Sequence, residues 1–161
     1  MASPSTTPTA APPVPAVTPR PVLFATDFSS ASKTAFAKAL ELARKEGAVL
    51  VIAHVYEPPA DLSHSGLADD VITAEFENTI RRDVQKQLDG VLAEARAGGV
   101  VARGEILAGR PAKEIADLAE TLGAAMVVVG THGRTGIRKL VVGSVAGQIV
   151  AAAACPVLTV H

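Results

Sequence analysis

The chain has 161 residues, a formal charge of −1 and one cysteine, and 48% of its residues are apolar. That length supports one domain with a full two-sided core, while the lone Cys155 excludes an intrachain disulfide or a CxxC metal pair and fits a reducing compartment. Lys and Arg are scattered among nearly as many Asp and Glu, and aromatics make up 3%, so the basic stripe with stacking rings that marks a nucleic-acid surface is missing.

Residues 1–20, "MASPSTTPTAAPPVPAVTPR", hold six of the eleven prolines and no charged side chain before Arg20. Such a segment buries too little surface to offset its ordering entropy, and it reads as a disordered, partly polyproline-like tail. No PxxP in it carries a nearby basic anchor, which makes it an inert extension. It lacks the basic start and apolar run of a signal peptide, and no later stretch reads as a membrane span. The expected location is therefore the cytoplasm, with the folded domain at 21–161.

"PVLFAT" (21–26) predicts a short strand ending in Asp27. A helix follows, with Ala31, Ala35, Ala39, Leu42 and Ala43 at helical spacing and Gly47 as its stop. "VLVIAHVY" (49–56) is apolar on both faces, the pattern of a strand covered on both sides. After the loop "EPPADLSHSGLADD", a long helix keeps Ile72, Phe76, Ile80, Val84, Leu88, Val91 and Ala95 on one stripe, and Gly98 and Gly99 end it. "VVARGEILAG" (100–109) is half-polar, as at a sheet edge. Pro111 opens the next helix in its favoured first position, with Ile115, Leu118, Ala119 and Leu122 facing inward. "AAMVVVG" predicts a fully buried strand, a helix is expected from Ser144 to Ala154, and "CPVLTV" closes the series as a strand.

This alternation predicts an α/β fold, a five-stranded parallel sheet with helices on both faces and right-handed crossovers. A central first strand gives the order 3-2-1-4-5. The last strand then lies at an edge, where its unpaired backbone invites a second copy. Ligands of such sheets bind beyond the carboxyl ends of the strands where the winding reverses. Here that point lies between strands one and four, which end at Asp27 and Gly130.

The stretch "MVVVGTHGRTGIRKLVVGSVAGQIV" (126–150) falls at this point. Without a Cβ, Gly130 and Gly133 can take positive φ and admit a ligand to their N–H groups, or they serve only as turn residues. Gly143 and Ser144 open a helix, where free donors and the helix dipole favour a phosphate. A bulky side chain at 143 is expected to hold a phosphate away from them. Ser144 either caps the helix or gives its hydroxyl to a phosphate oxygen. The residues between Gly133 and Gly143 are enough to arch over a triphosphate. Arg138 and Lys139 read as solvated surface, and Arg134 is either that or a phosphate contact.

Asp27 either caps the first helix or faces the ligand. His132 has no sequence neighbour to share a metal, and lends its backbone instead. His54 reads as a satisfied core histidine and Cys155 as a small buried hydrophobe. GxxxxGK[ST] is absent, as is GxGxxG after strand one, and no Ser–His–acid set assembles. No catalytic residue and no metal ligand are assigned.

With "ATDFSSAS", "AHVYEP", "GRPAKEI" and "CPVLTV" in this order, and G-x2-G-x9-G-[ST] present as Gly130, Gly133, Gly143 and Ser144, residues 21–160 resemble the ATP-binding branch of the universal stress proteins. The resemblance implies a Rossmann-like fold of the adenine nucleotide alpha hydrolase type and an ATP site, occupied with Mg²⁺. Ala25, Thr26 and Asp27 match the stretch against the nucleoside, and Val55 the residue beside the adenine. Val129, Gly130, His132 and Gly133 match the ribose and first phosphate contacts. Gly143, Ser144, Val145 and Ala146 match the phosphate-binding helix start. Relatives often carry a hydroxyl residue at the last of these, and Ala146 supplies none. The resemblance also implies a homodimer through the last strand. It leaves two functions open: a nucleotide-dependent regulatory module in stress response, acting on an unknown protein partner, or an enzyme that hydrolyses ATP or transfers its phosphoryl group. The anion cradle without an evident residue to activate water favours the module.

Overall fold

The computed structural model describes residues 18–58, 70–131 and 143–161. Five strands and four helices alternate along them: β1 (Val22–Ala25), α1 (Ser30–Glu46), β2 (Leu50–Tyr56), α2 (Asp70–Ala97), β3 (Ala102–Ala108), α3 (Pro111–Thr121), β4 (Met126–Gly130), α4 (Ser144–Ala152) and β5 (Val157–Val160). All pairings are parallel, in the order β3-β2-β1-β4-β5. The expected order therefore holds, with β3 and β5 at the edges.

Strand alternation divides the core into two layers. Val22, Phe24, Leu50, Ile52 and Val128 meet Ala35, Phe36, Ala39 and Ala43 of α1 and Leu88, Leu92 and Ala95 of α2. Leu23, Ala25, Val51, Ala53, Val127 and Val129 turn the other way, onto Ile115 and Ala119 of α3 and Ala146 and Ile149 of α4. Alanines on the inner faces of α1 and α3 let these helices lie close against the sheet. In α2 the buried stripe passes through Leu92, with Val91 half-buried beside it. Leu118 and Leu122 at the end of α3 are likewise half-buried.

The element ends have local causes. Ser29 caps α1, its hydroxyl accepting from Ser32 N–H at 3.3 Å, and Gly47 closes the helix in the left-handed region at φ 61°. Pro111 sits in the first turn of α3. Helix α4 stops at Ala152, two residues before the expected end: Ala153 is already extended at ψ 135°, and Pro156 has no N–H to offer the Ala152 carbonyl and bars helical backbone at Cys155. Cys155 is half-buried on the second core layer, less enclosed than expected.

Ahead of β1, Arg20 donates from Nε to the Gly123 carbonyl at 2.7 Å and from Nη2 to that of Ala124 at 2.8 Å. The Ala125 N–H donates to the Pro21 carbonyl beside them at 2.8 Å. Among the described residues, no helix is long and apolar enough to cross a membrane.

Candidate functional site

On the α3/α4 face, strands β1 and β2 present alanine at 25 and 53, where bulkier side chains would fill the space under the helices. The result is a cavity of about 320 Å³ at the carboxyl ends of β1, β2 and β4, at the point where the winding reverses. Its wall towards β2 is apolar, formed by Ala53, Val55, Pro111 and Ile115. Its wall towards β4 and α4 consists of Gly130, Thr131 and the first turn of α4. Thr26 and Asp27, leaving the central strand, stand between the two.

The turn after β1 directs neighbouring residues to opposite sides of the sheet. Asp27 lines the cavity, whereas Phe28, at φ 60°, packs on the α1/α2 layer. A bulky residue in the left-handed region is uncommon and is held there by its surroundings. Phe28 N–H donates to Thr26 Oγ1 at 3.0 Å, and its ring lies 4.6 Å from that of buried His54. His54 in turn places Nδ1 2.7 Å from the Thr26 carbonyl. It is a satisfied core histidine, as expected.

Asp27 does not cap α1; Ser29 does. The Asp27 carboxylate instead accepts at Oδ1 from Ser32 Oγ at 2.5 Å and from Ser29 N–H at 3.0 Å. Burial works against its ionisation, but the hydrogen bonds from Ser29 and Ser32 and from nearby backbone outweigh it and hold the carboxyl below its usual range. Asp27 therefore presents a fixed negative charge to the cavity at neutral pH.

Across the cavity, α4 begins at Gly143 with no side-chain cap. The first N–H groups of a helix have no partner within it, so those of Ser144, Val145 and Ala146, which meet no backbone acceptor among the described residues, lie at the positive end of the helix dipole. Gly143 itself donates to the Thr131 carbonyl at 2.8 Å. A Cβ at 143 would lie 2.7 Å from that carbonyl oxygen. The glycine is thus required by the protein's own backbone, and a larger residue there would displace α4 before it met any phosphate. Gly130 also differs from expectation. It is an ordinary extended member of β4, outside the positive-φ glycines, and a Cβ on it would sit 3.3 Å from the Ala31 backbone. Its lack of a side chain serves close packing of α1 on the strand.

Ala25, Thr26, Asp27, Val55, Val129, Gly130, Gly143, Ser144, Val145 and Ala146, all expected from the sequence, line this one cavity. His132 and Gly133, with Arg134, Arg138 and Lys139, lie outside the described residues. Sequence reasoning missed Ser32, Ala53, Thr131 and Ile149, and placed Pro111 and Ile115 only as helix residues. Helical spacing marks Ile115 as inward-facing, but the cavity it meets exists only once α3 is docked. Among the described residues, no group of three or more His, Cys, Asp or Glu could hold a metal ion.

The sequence model described as "Universal stress protein family" matches residues 19–161. The universal stress protein YxiE of Bacillus subtilis is 34% identical over 145 residues, covering 87% of this chain and 97% of that one. The universal stress protein UspA from Lactobacillus plantarum has the same fold, with a TM-score of 0.78 at 22% identity over 90% of this chain and 99% of that one. A universal stress protein from Archaeoglobus fulgidus, solved in complex with dAMP, superposes with a TM-score of 0.64 at 23% identity, over 90% and 100% of the two chains.

Proposed function

This chain belongs to the universal stress protein family, and we propose that it binds ATP, carried with Mg²⁺, in the cavity at the β1–β4 reversal and works as a nucleotide-dependent regulatory module. The observation that carries this reading is the pairing of an α4 start that opens on a glycine, with no side-chain cap among the described residues, with a carboxylate held ionised on the other side of one cavity. Helix-start donors suit phosphate oxygens. The apolar wall of Val55, Pro111 and Ile115 suits a planar base, and Asp27 suits donors of the nucleoside. The dAMP complex of the Archaeoglobus fulgidus relative supports an adenine nucleotide as the ligand class. The Mg²⁺ would travel with the phosphates, with Asp27 the one carboxylate among the described residues lining the cavity.

Binding is favoured over hydrolysis by the character of Asp27. It is the one ionisable side chain among the described residues lining the cavity, and a carboxyl held below its usual range is a weak base for activating water. The unknown protein partner would then read occupancy, and a homodimer through β5 is part of the same proposal.

Calorimetric titration with ATP, ADP and adenosine tests the reading. Wild-type protein is expected to prefer ATP. Losing one charge-assisted hydrogen bond costs about 1.5 to 3 kcal/mol, so Ser144→Ala is expected to weaken ATP roughly tenfold to a hundredfold and leave adenosine unchanged. Asp27→Ala is expected to weaken all three alike. A wild-type protein that gives no binding signal with any of them overturns the proposal, and phosphate release from labelled ATP in a single turnover would favour the enzyme instead.

A further inference from the structure

We propose that Thr131 is the positioning residue that sets where the start of α4 meets a bound anion, and that it does so by hanging that start on the end of β5. This rests on the nucleotide reading above. Thr131 is 1% exposed and is the first residue after β4. Its N–H donates to the Val160 carbonyl at 2.8 Å. Its hydroxyl donates to the same carbonyl at 3.2 Å and lies 2.9 Å from Nδ1 of His161. Its own carbonyl accepts the Gly143 N–H. Three connections thus meet in one residue: to β4 along the chain, to β5 by side chain and backbone, and to α4 by the carbonyl.

The last of these carries the consequence. Among the described residues, the Gly143–Thr131 bond is the one backbone hydrogen bond from the start of α4 to another element. The same carbonyl limits approach from the other side, because only a residue without a Cβ fits against it. Core packing of Ala146 and Ile149 holds the body of α4, while at Gly143 this one oxygen atom both accepts the helix start and limits its approach. Hydrogen bonds to charged groups depend on donor placement within a few tenths of an ångström, so the Thr131 contact at Gly143 tunes where the donors of Ser144, Val145 and Ala146 meet an anion. Thr131 in turn sits where Val160 and His161 hold its hydroxyl. The end of the edge strand so becomes part of the phosphate-binding geometry, although neither Val160 nor His161 lines the cavity.

Thr131→Val tests this, since it replaces the hydroxyl by a methyl of similar size and keeps the backbone. ATP affinity is expected to fall about tenfold while adenosine stays within about twofold, and Thr131→Ser is expected to restore the ATP-to-adenosine ratio. A purely structural threonine would lower the melting temperature and leave that ratio alone. His161→Phe, which cannot hydrogen-bond Thr131, is expected to shift the ratio in the same direction by about twofold to threefold, and it keeps the test open if Thr131→Val does not fold. In ligand-free protein, amide exchange at Gly143 is expected to quicken about tenfold in Thr131→Val. This arm needs no nucleotide: if wild-type protein binds none, the functional reading fails, while the exchange rate still decides the role of Thr131. An unchanged ratio in folded variants of a binding protein, or unchanged Gly143 exchange, overturns the proposal.

Discussion

Ser32 ties the cavity carboxylate to the first turn of α1. Its N–H is taken by the Ser29 cap, while its hydroxyl donates to Asp27 Oδ1 at 2.5 Å and lies 3.3 Å from the Asp27 N–H, which donates to it. Burial alone would raise the Asp27 pKa, and this hydrogen bond is among those that bring it down. A carboxyl whose folded pKa is depressed adds stability above its unfolded pKa, about 3.9, and loses it as pH falls through the folded value. Ser32→Ala removes a lowering contribution and leaves burial in place, so the Asp27 pKa is expected to rise. The variant should then begin acid unfolding at a higher pH than wild type, read by carboxyl NMR titration and by circular dichroism. Identical titration curves would show that Ser29 and the backbone suffice. Sequence alone does not mark Ser32, because a serine early in a helix is commonplace until its partner is seen. Gly130 and Gly143 were legible as a motif, yet their reason was not: what they avoid is the backbone of Ala31 and Thr131, and neither contact follows from spacing.

Strands β1, β2, β4 and β5 were legible as short apolar runs between turn residues, and the edge character of β3 showed in its half-polar alternation. The end of α4 was less so, since the alanines at 151–154 are good helix formers, yet the helix ends at Ala152, ahead of Pro156. At β5 the register has a further use. Pro156 and Val160 point their carbonyls at Val127 of β4 and at Thr131 just beyond it, so by strand alternation Val157 and Thr159 turn their backbone groups to the free edge. Thr159→Pro therefore removes an outward donor without breaking the ladder to β4, a setting in which an edge strand tolerates proline. If two copies pair through β5, light scattering should report a dimer for wild type and a monomer for this variant. The substitution Leu158→Lys is a poorer probe, because Leu158 packs on the α1/α2 core layer and its loss would destabilise the monomer too. A dimeric mass for Thr159→Pro would place the interface elsewhere.

The whole molecule has two poles. With every strand parallel, the amino ends of β1 to β5 lie at one and the cavity at the other. Arg20 marks the first pole by clasping the turn between α3 and β4. Residues 1–17 fall outside the described residues, and nothing in their composition supplies a periodic apolar face. Deleting residues 2–19 is expected to shift the melting temperature by less than about 1 °C and leave ATP affinity unchanged. Arg20→Ala, which loses two hydrogen bonds to backbone carbonyls, is expected to cost about 1 to 2 kcal/mol in chemical denaturation. A large loss on removing the tail would mean that it packs on the domain. The Arg20 clasp also decides how the protein can be handled. A tether attached ahead of it leaves from the pole opposite the cavity, separated from it by at least the four residues of β1, about 13 Å. With residues 2–19 removed and the chain coupled to a sensor surface just ahead of Arg20, the protein would stand with its binding mouth turned to the flowing solution.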